Sequence, residues 1–279
     1  MTAGKNGGPK TQAGRARFYK AVSVGTVIPS PLVGEGQGGG YSRTSYVGIP
    51  PTPNPSPPGG GEDTAFRLLL DGKPVRTPAK KQLLLPTRAL ADAVAVEWEA
   101  QKVRIDPVTM PLTRFANSAI DGVAGREAQV RADIARYAGS DLICYRAEAP
   151  PELVQRQAQA WDPVLAWARD ALGASFHVAQ GIMPASQPAP AAHSVAHAIE
   201  AHGAFELAAL HVMTTLTGSA LLALAHARGH LTADDAWAAA HIDEDWQFSQ
   251  WGEDAEAKAR REARWLEMRA ASRLIQLLG

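Results

Sequence analysis

Residues 203–230 read GAFELAALHVMTTLTGSALLALAHARGH, a strongly apolar run in which Glu206 and Arg228 are the two formally charged residues. Leu207, Leu210, Met213, Leu216, Ala220 and Leu224 recur at the three-and-four spacing of a helix face, and Phe205, Leu221 and Leu222 widen that face until most sides need cover. The run is long enough for a membrane span, which needs roughly 20 apolar residues. Glu206, His211 and the polar group Thr214, Thr215, Thr217, Gly218 and Ser219 argue against insertion. The reading is one long buried helix at the heart of a helical domain, bracketed by Gly203 and Gly229 and bent near Gly218. Its threonines can return their hydroxyls to carbonyls one turn back.

The rest of the composition narrows the class. The chain has 279 residues, 28 basic and 28 acidic, enough for two ordinary domains and without the net field that recruits nucleic acid or anionic lipid. The single cysteine, Cys144, excludes an internal disulfide and a multi-cysteine zinc site. A cytoplasmic protein is the expectation. Residues 1–16 are basic and rich in small residues, without the apolar core of a secretory signal, and are expected to form a flexible tail.

Before the helical region the grammar is that of strands. Residues 17–24, RFYKAVSV, alternate and predict a first strand. Residues 25–61 then hold 10 glycines and 8 prolines, a composition that predicts a disordered insertion; its PLVGEGQGGG and PPTPNPSPPGGGE phrases resemble a translated mobile repeat. A proline-rich ligand for a partner domain is the functional alternative. The strand pattern resumes at 66–70 and 73–77 around Asp71-Gly72, a hairpin signal because both turn residues need positive φ. A strand at 81–85 and a helix from Thr87 to Gln101 follow, with Leu90, Val94 and Trp98 along one face.

Beyond Pro107 and Pro111 the pattern is helical, with helices predicted over 112–121, 126–138, 151–172, 193–201, 205–227, 232–251 with an interruption, and 253–278. The fold class is therefore α+β: a small antiparallel β-sheet domain with a helix (17–24 plus 62–110), then an all-helical orthogonal bundle (111–279), with 25–61 inserted.

Few of these residues suggest chemistry. His193/His197 and His226/His230 have the i, i+4 spacing of helical metal ligands, which leaves a metal-dependent hydrolase as an alternative, but neither pair encloses the glutamate of a zinc-protease motif. No G-x-x-x-x-G-K-[ST] run occurs. Cys144, between Ile143 and Tyr145, reads as a buried structural thiol. The segment 242–256, IDEDWQFSQWGEDAE, stands apart: Asp243, Glu244, Asp245, Glu253, Asp254 and Glu256 surround Trp246, Phe248 and Trp251. Aromatic anchors rimmed by charge suit a protein-binding surface.

Taken in order, RFYKAVSV, FRLLLDGKPVRTPAKKQLLLPTRALADAVAVEWEAQ, MPLTRFANSAID, RYAGSDLICYRA, the Met213–Ala225 run and DEDWQFSQWGED resemble the assembly chaperones of the F-type ATP synthase alpha subunit, carried by mitochondria and alphaproteobacteria. The resemblance spans 17–24 and 63–278. It implies a non-enzymatic, ATP-independent, monomeric holdase without cofactor or metal, whose partner is the alpha subunit before the beta subunit replaces it. It implies functionally sensitive acid in the segment after Trp251-Gly252, here Glu253, Asp254 and Glu256, with Ala255 at one of the candidate positions; together with the composition of 242–256 this gives Asp243, Glu244, Trp246, Trp251, Glu253, Asp254 and Glu256 as the expected client-binding residues. It implies a structural role for Trp98 of the E-W motif, packing the first-domain helix against the helical domain.

Overall fold

The computed structural model describes residues 15–27, 65–181 and 186–279. The expected tail over 1–14 and the greater part of the expected insertion, 28–61, lie outside them. The antiparallel sheet forms around β2 (Ala65–Leu70), which pairs with β1 (Val22–Val27) on one side and with β3 (Lys73–Pro74) and β4 (Leu84–Leu85) on the other. Asp71 (φ 50°) and Gly72 (φ 77°) make the β2–β3 turn as the sequence predicts.

The first strand lies later than residues 17–24. Gly25, Thr26 and Val27 pair with Arg67, Phe66 and Ala65, so cross-strand hydrogen bonds hold residues that composition alone assigned to the insertion. At the other end the Asp71 carboxylate accepts from the backbone N–H of Lys20 (3.0 Å) and Ala21 (2.8 Å), lifting the chain off the sheet. Arg15 and Ala16, expected in the tail, instead pair with the 103–105 segment: Ile105 N–H donates to Arg15 O (2.8 Å), and Ala16 bridges Arg104.

Ten helices follow among the described residues. Thr87 caps α1 (Arg88–Glu99), its Oγ1 accepting from Leu90 N–H at 3.1 Å, and the same hydroxyl donates to Leu277 O (2.6 Å) near the end of α10 (Ala255–Leu278). Between them come α2 (Pro111–Ser118), continued by one wide turn to Val123, and α3 (Glu127–Ala138). Then follow α4 (Pro151–Leu172), α5 (Ala189–Ala198), α6 (Ala204–Thr217), α7 (Ala220–Ala227), α8 (Ala233–Ala240) and α9 (Ile242–Trp251). A two-residue parallel pair, Tyr145–Arg146 with Ala179–Gln180, is the one further ladder among the described residues.

The apolar run is two helices, not one bent helix. Gly218 takes a left-handed conformation (φ 67°) that ends α6, and Ser219 restarts the chain by accepting from Leu222 N–H at 3.0 Å. Asp141, wholly buried, completes the break: its carboxylate accepts from Leu221 N–H (3.1 Å) at the start of α7, and Leu142 N–H donates to Gly218 O (3.2 Å). Burial pushes the Asp141 carboxyl up to about 6, against the Ser219 hydroxyl and backbone N–H groups that favour its charge. Thr215 and Thr217 return their hydroxyls to His211 O (2.7 Å) and Met213 O (2.8 Å) as expected.

One cluster of buried side chains runs through the described residues, from Leu68 and Leu85 of the sheet through Leu90 and Val94 of α1 to Leu210, Leu224 and Leu274. The joint between sheet region and helices is made by Glu97. Its carboxylate accepts from Leu112 N–H (2.7 Å), Thr113 N–H (2.8 Å) and the Thr113 hydroxyl (2.7 Å), closing the N-terminus of α2.

Candidate protein-binding surface

The segment that the sequence singles out forms α9 and the turn into α10. Its entry is fixed by His241, which ends α8 and lies buried against the Trp237 ring, centroids 3.8 Å apart. The imidazole donates from Nδ1 to Trp237 O (2.7 Å), and burial holds its pKa below the usual histidine value. Trp161, also wholly buried, donates its indole N–H to Ala239 O (2.7 Å), so α8 and α9 are seated on α4.

The structure divides the seven proposed contact residues by what they already hold. Asp243 accepts from Gln157 Nε2 (2.7 Å) and ties α9 to α4. Between these contact residues, Asp245 pairs with Arg261, and Glu244 lies 3.8 Å from Arg264. The hydrogen bond that Arg261 donates to Asp245 raises the Arg261 pKa above its ordinary value, with Glu244 and Glu253 adding their fields. Trp246 is half-buried under the Arg156 guanidinium, 5.1 Å from its centroid. Asp254 caps α10 by accepting from Ala257 N–H (3.1 Å). Glu253 and Glu256 make exposed pairs with Lys258 (3.6 Å) and Arg260 (2.6 Å). Trp251 is 80% exposed at the end of α9, and Gly252 (φ 84°) turns the chain directly after it.

The charge of this segment is nonetheless one-signed locally, because residues 242–257 contain six acids and neither Lys nor Arg. Beside it an open groove of about 540 Å³ runs between α4 and the α8–α9 corner. Pro163, Val164, Leu231 and Ile242 wall it, and Arg156 and Asp245 stand at its rim. Sequence reasoning did not single out Arg156 or the groove. Ala160, Pro163 and Val164 share the spacing of a core stripe, and nothing local separates a groove wall from a core.

Trp98 is partly buried and packs against the hydrophobic core. The Tyr19 ring lies 5.7 Å away, its hydroxyl donates to Trp98 O (2.6 Å), and Trp98 also lines a depression beside the β2–β3 hairpin. It anchors the N-terminal arm; Glu97, its neighbour, makes the hydrogen bonds that reach the helical region.

The histidines have structural partners. His226 contacts Leu231 O (3.0 Å) and the Ser272 hydroxyl (2.9 Å), and His230 stacks on Trp167 at 5.4 Å. Among the described residues no group of three or more His, Cys, Asp or Glu is placed to hold a metal ion. Cys144 is buried, and burial, with Asp141 nearby, pushes its thiol up to about 12, which leaves it protonated and unreactive.

The ATP12 chaperone protein family model matches residues 54–169. Among solved structures, the Atu1473 protein from Agrobacterium tumefaciens, a putative chaperone by its description, is 46% identical, covering 95% of this chain and 86% of that one, with a TM-score of 0.79. Atp12 from Paracoccus denitrificans is 36% identical, covering 96% and 99%, with a TM-score of 0.78. A point mutant of that Paracoccus protein is likewise 36% identical, covering 95% and 98%, with a TM-score of 0.79.

Proposed function

This chain belongs to the ATP12 chaperone protein family, and from that premise we propose that it is an assembly chaperone for the F-type ATP synthase, binding the newly made alpha subunit and preventing its aggregation before assembly with beta. The observation that carries the contact surface is Trp251, a large ring left 80% exposed within an acidic segment. An exposed aromatic supplies burial when a partner arrives, and the surrounding carboxylates speed and orient a basic partner. The protein acts as a cytoplasmic monomer, without ATP, metal or catalysis. ATP independence is supported by the lack of a G-x-x-x-x-G-K-[ST] run in the sequence, and the non-enzymatic reading by membership of a chaperone family. No described helix is long and apolar enough to cross a membrane.

The test is suppression of alpha-subunit aggregation, followed by light scattering at several salt concentrations. Glu253→Gln, Asp254→Asn and Glu256→Gln together remove charge while Asn preserves the α10 cap. The triple variant should protect less than wild type and lose most of the salt dependence. Trp251→Ala should weaken protection with the salt slope unchanged. Equal protection by wild type and the triple variant at every salt concentration refutes this surface.

A further inference from the structure

A depression of about 520 Å³ opens between the β2–β3 hairpin, the N-terminal arm and the C-terminal end of α1. Tyr19, Leu70, Val75 and Trp98 form its apolar lining, and Phe18, 55% exposed, stands beside them edge-on to Tyr19 with centroids 5.4 Å apart. Arg15, Lys73 and Arg76 stand around it. Asp71 is the one acid in the lining, and its carboxylate is already committed to the N–H groups of Lys20 and Ala21, which hold its pKa below the usual value. The local charge follows the same sign: residues 15–27 and 65–110 contain 11 Lys or Arg and 5 Asp or Glu, although the whole chain is balanced.

We propose that this depression is a second docking site, for an extended polypeptide segment that carries carboxylates beside a large apolar side chain. The apolar residue fills the Tyr19, Leu70 and Trp98 floor, and the carboxylates meet Arg15, Lys73 and Arg76. The site is built before the segment arrives. Arg17 N–H donates to Val103 O (3.0 Å), Ile105 N–H donates to Arg15 O (2.8 Å), and the Arg17 guanidinium grips the Glu99 carbonyl, so the arm forms a fixed wall. A nucleotide fits less well, because phosphates favour helix N-termini and this depression receives the carbonyl end of α1. The site is independent of the acidic α9 surface and of which protein is the client. It is opposite to α9 in charge, so the two surfaces select different segments.

The experiment uses the full chain and two fluorescein-labelled probes, Glu-Glu-Leu-Phe-Glu-Glu and Lys-Lys-Leu-Phe-Lys-Lys, read by fluorescence anisotropy. Lys73 and Arg76 are exposed, so Lys73→Glu with Arg76→Glu leaves the fold intact, which circular dichroism checks. The acidic probe should bind wild type more tightly than the basic probe does, weaken several-fold between about 50 and about 200 mM salt, and lose about tenfold or more in affinity, at least about 1.4 kcal/mol, in the double variant. Its binding should be unchanged by Glu253→Gln with Glu256→Gln. Equal binding of the acidic probe to wild type and the Lys73/Arg76 variant overturns the proposal. Three other outcomes also overturn it: binding that emerges only after deletion of residues 30–61, which makes the occupant a segment of this chain; concentration-dependent dimerisation abolished by the double variant, which makes it a second copy; and tighter binding of a fluorescent ATP analogue lost in the same variant.

Discussion

Asp141 offers a direct measurement of what a buried carboxylate contributes to this fold. Its folded pKa of about 6 lies above the ordinary 3.8, so between those values the native state holds a proton that the unfolded chain has released. The stability this group contributes is therefore fully present below about 3.8 and lost as pH rises through about 6. At about 1.4 kcal/mol per pH unit, the whole span amounts to about 3 kcal/mol, and lowering the pH from about 7 to about 5 recovers about 1 kcal/mol of it. In a chain of this size that corresponds to a rise of about 2–4 °C in Tm. Asp141→Asn cannot titrate and keeps one acceptor where the carboxylate has two, so its own stability at a single pH mixes a lost hydrogen bond with a lost buried charge. The informative quantity is the difference in Tm between wild type and the variant, measured by calorimetry from about pH 5 to about pH 7, in which the histidines and other carboxylates cancel. The difference should move in favour of wild type by about 2–4 °C on going from about pH 7 to about pH 5. A difference that stays flat, or moves the other way, refutes the reasoning that burial dominates over the N–H groups of Ile143 and Leu221.

Three further outcomes follow from particular side chains. Trp98→Arg places a guanidinium against Tyr19 and Leu70 and should cost about 3–5 kcal/mol, whereas Trp98→Phe should cost less, since the indole N–H has no acceptor among the described residues; thermal unfolding ranks the two, and equal losses contradict this. Gly218→Ala should lower stability by about 1–2 kcal/mol in urea titration through its positive φ alone, because the nearest atom to an added methyl, Leu142 Cβ at 3.8 Å, is in ordinary contact. Native Cys144 should resist a disulfide reagent at about pH 8 and react fully in denaturant; rapid labelling of folded protein would show that the thiol is not enclosed.

The features that the sequence conveyed were those whose partners lie close along the chain. The Asp71-Gly72 turn, the Thr87 cap and the bounds of α4 all depend on residues within a few positions. The break at Gly218 has local cues, a glycine followed by a capping serine, but the steady apolar spacing across it favoured one helix. The group that completes the break, Asp141, lies 80 residues before Leu221. The start of β1 was misplaced for the same reason, since its bounds are set by residues 65–70 across a long connection. In the α9 segment the mixture of acids and aromatics was legible as a unit. Its division was not, because Asp243 is held by Gln157, 86 residues away, and Asp245 by Arg261 on the next helix. The basic depression draws its residues from 15 to 105 and leaves no local pattern at all.

The hydrogen bond from Thr87 to Leu277 joins residues 190 positions apart. Because α10 also packs on α1, α2 and α6, the core formed by the preceding elements stays uncovered on one side until α10 has been synthesised. Contacts of such long sequence separation slow the final folding step, since the closure entropy must be overcome before they form. A member of a chaperone family thus passes through its own interval of exposed apolar surface, ended by the docking of a single helix.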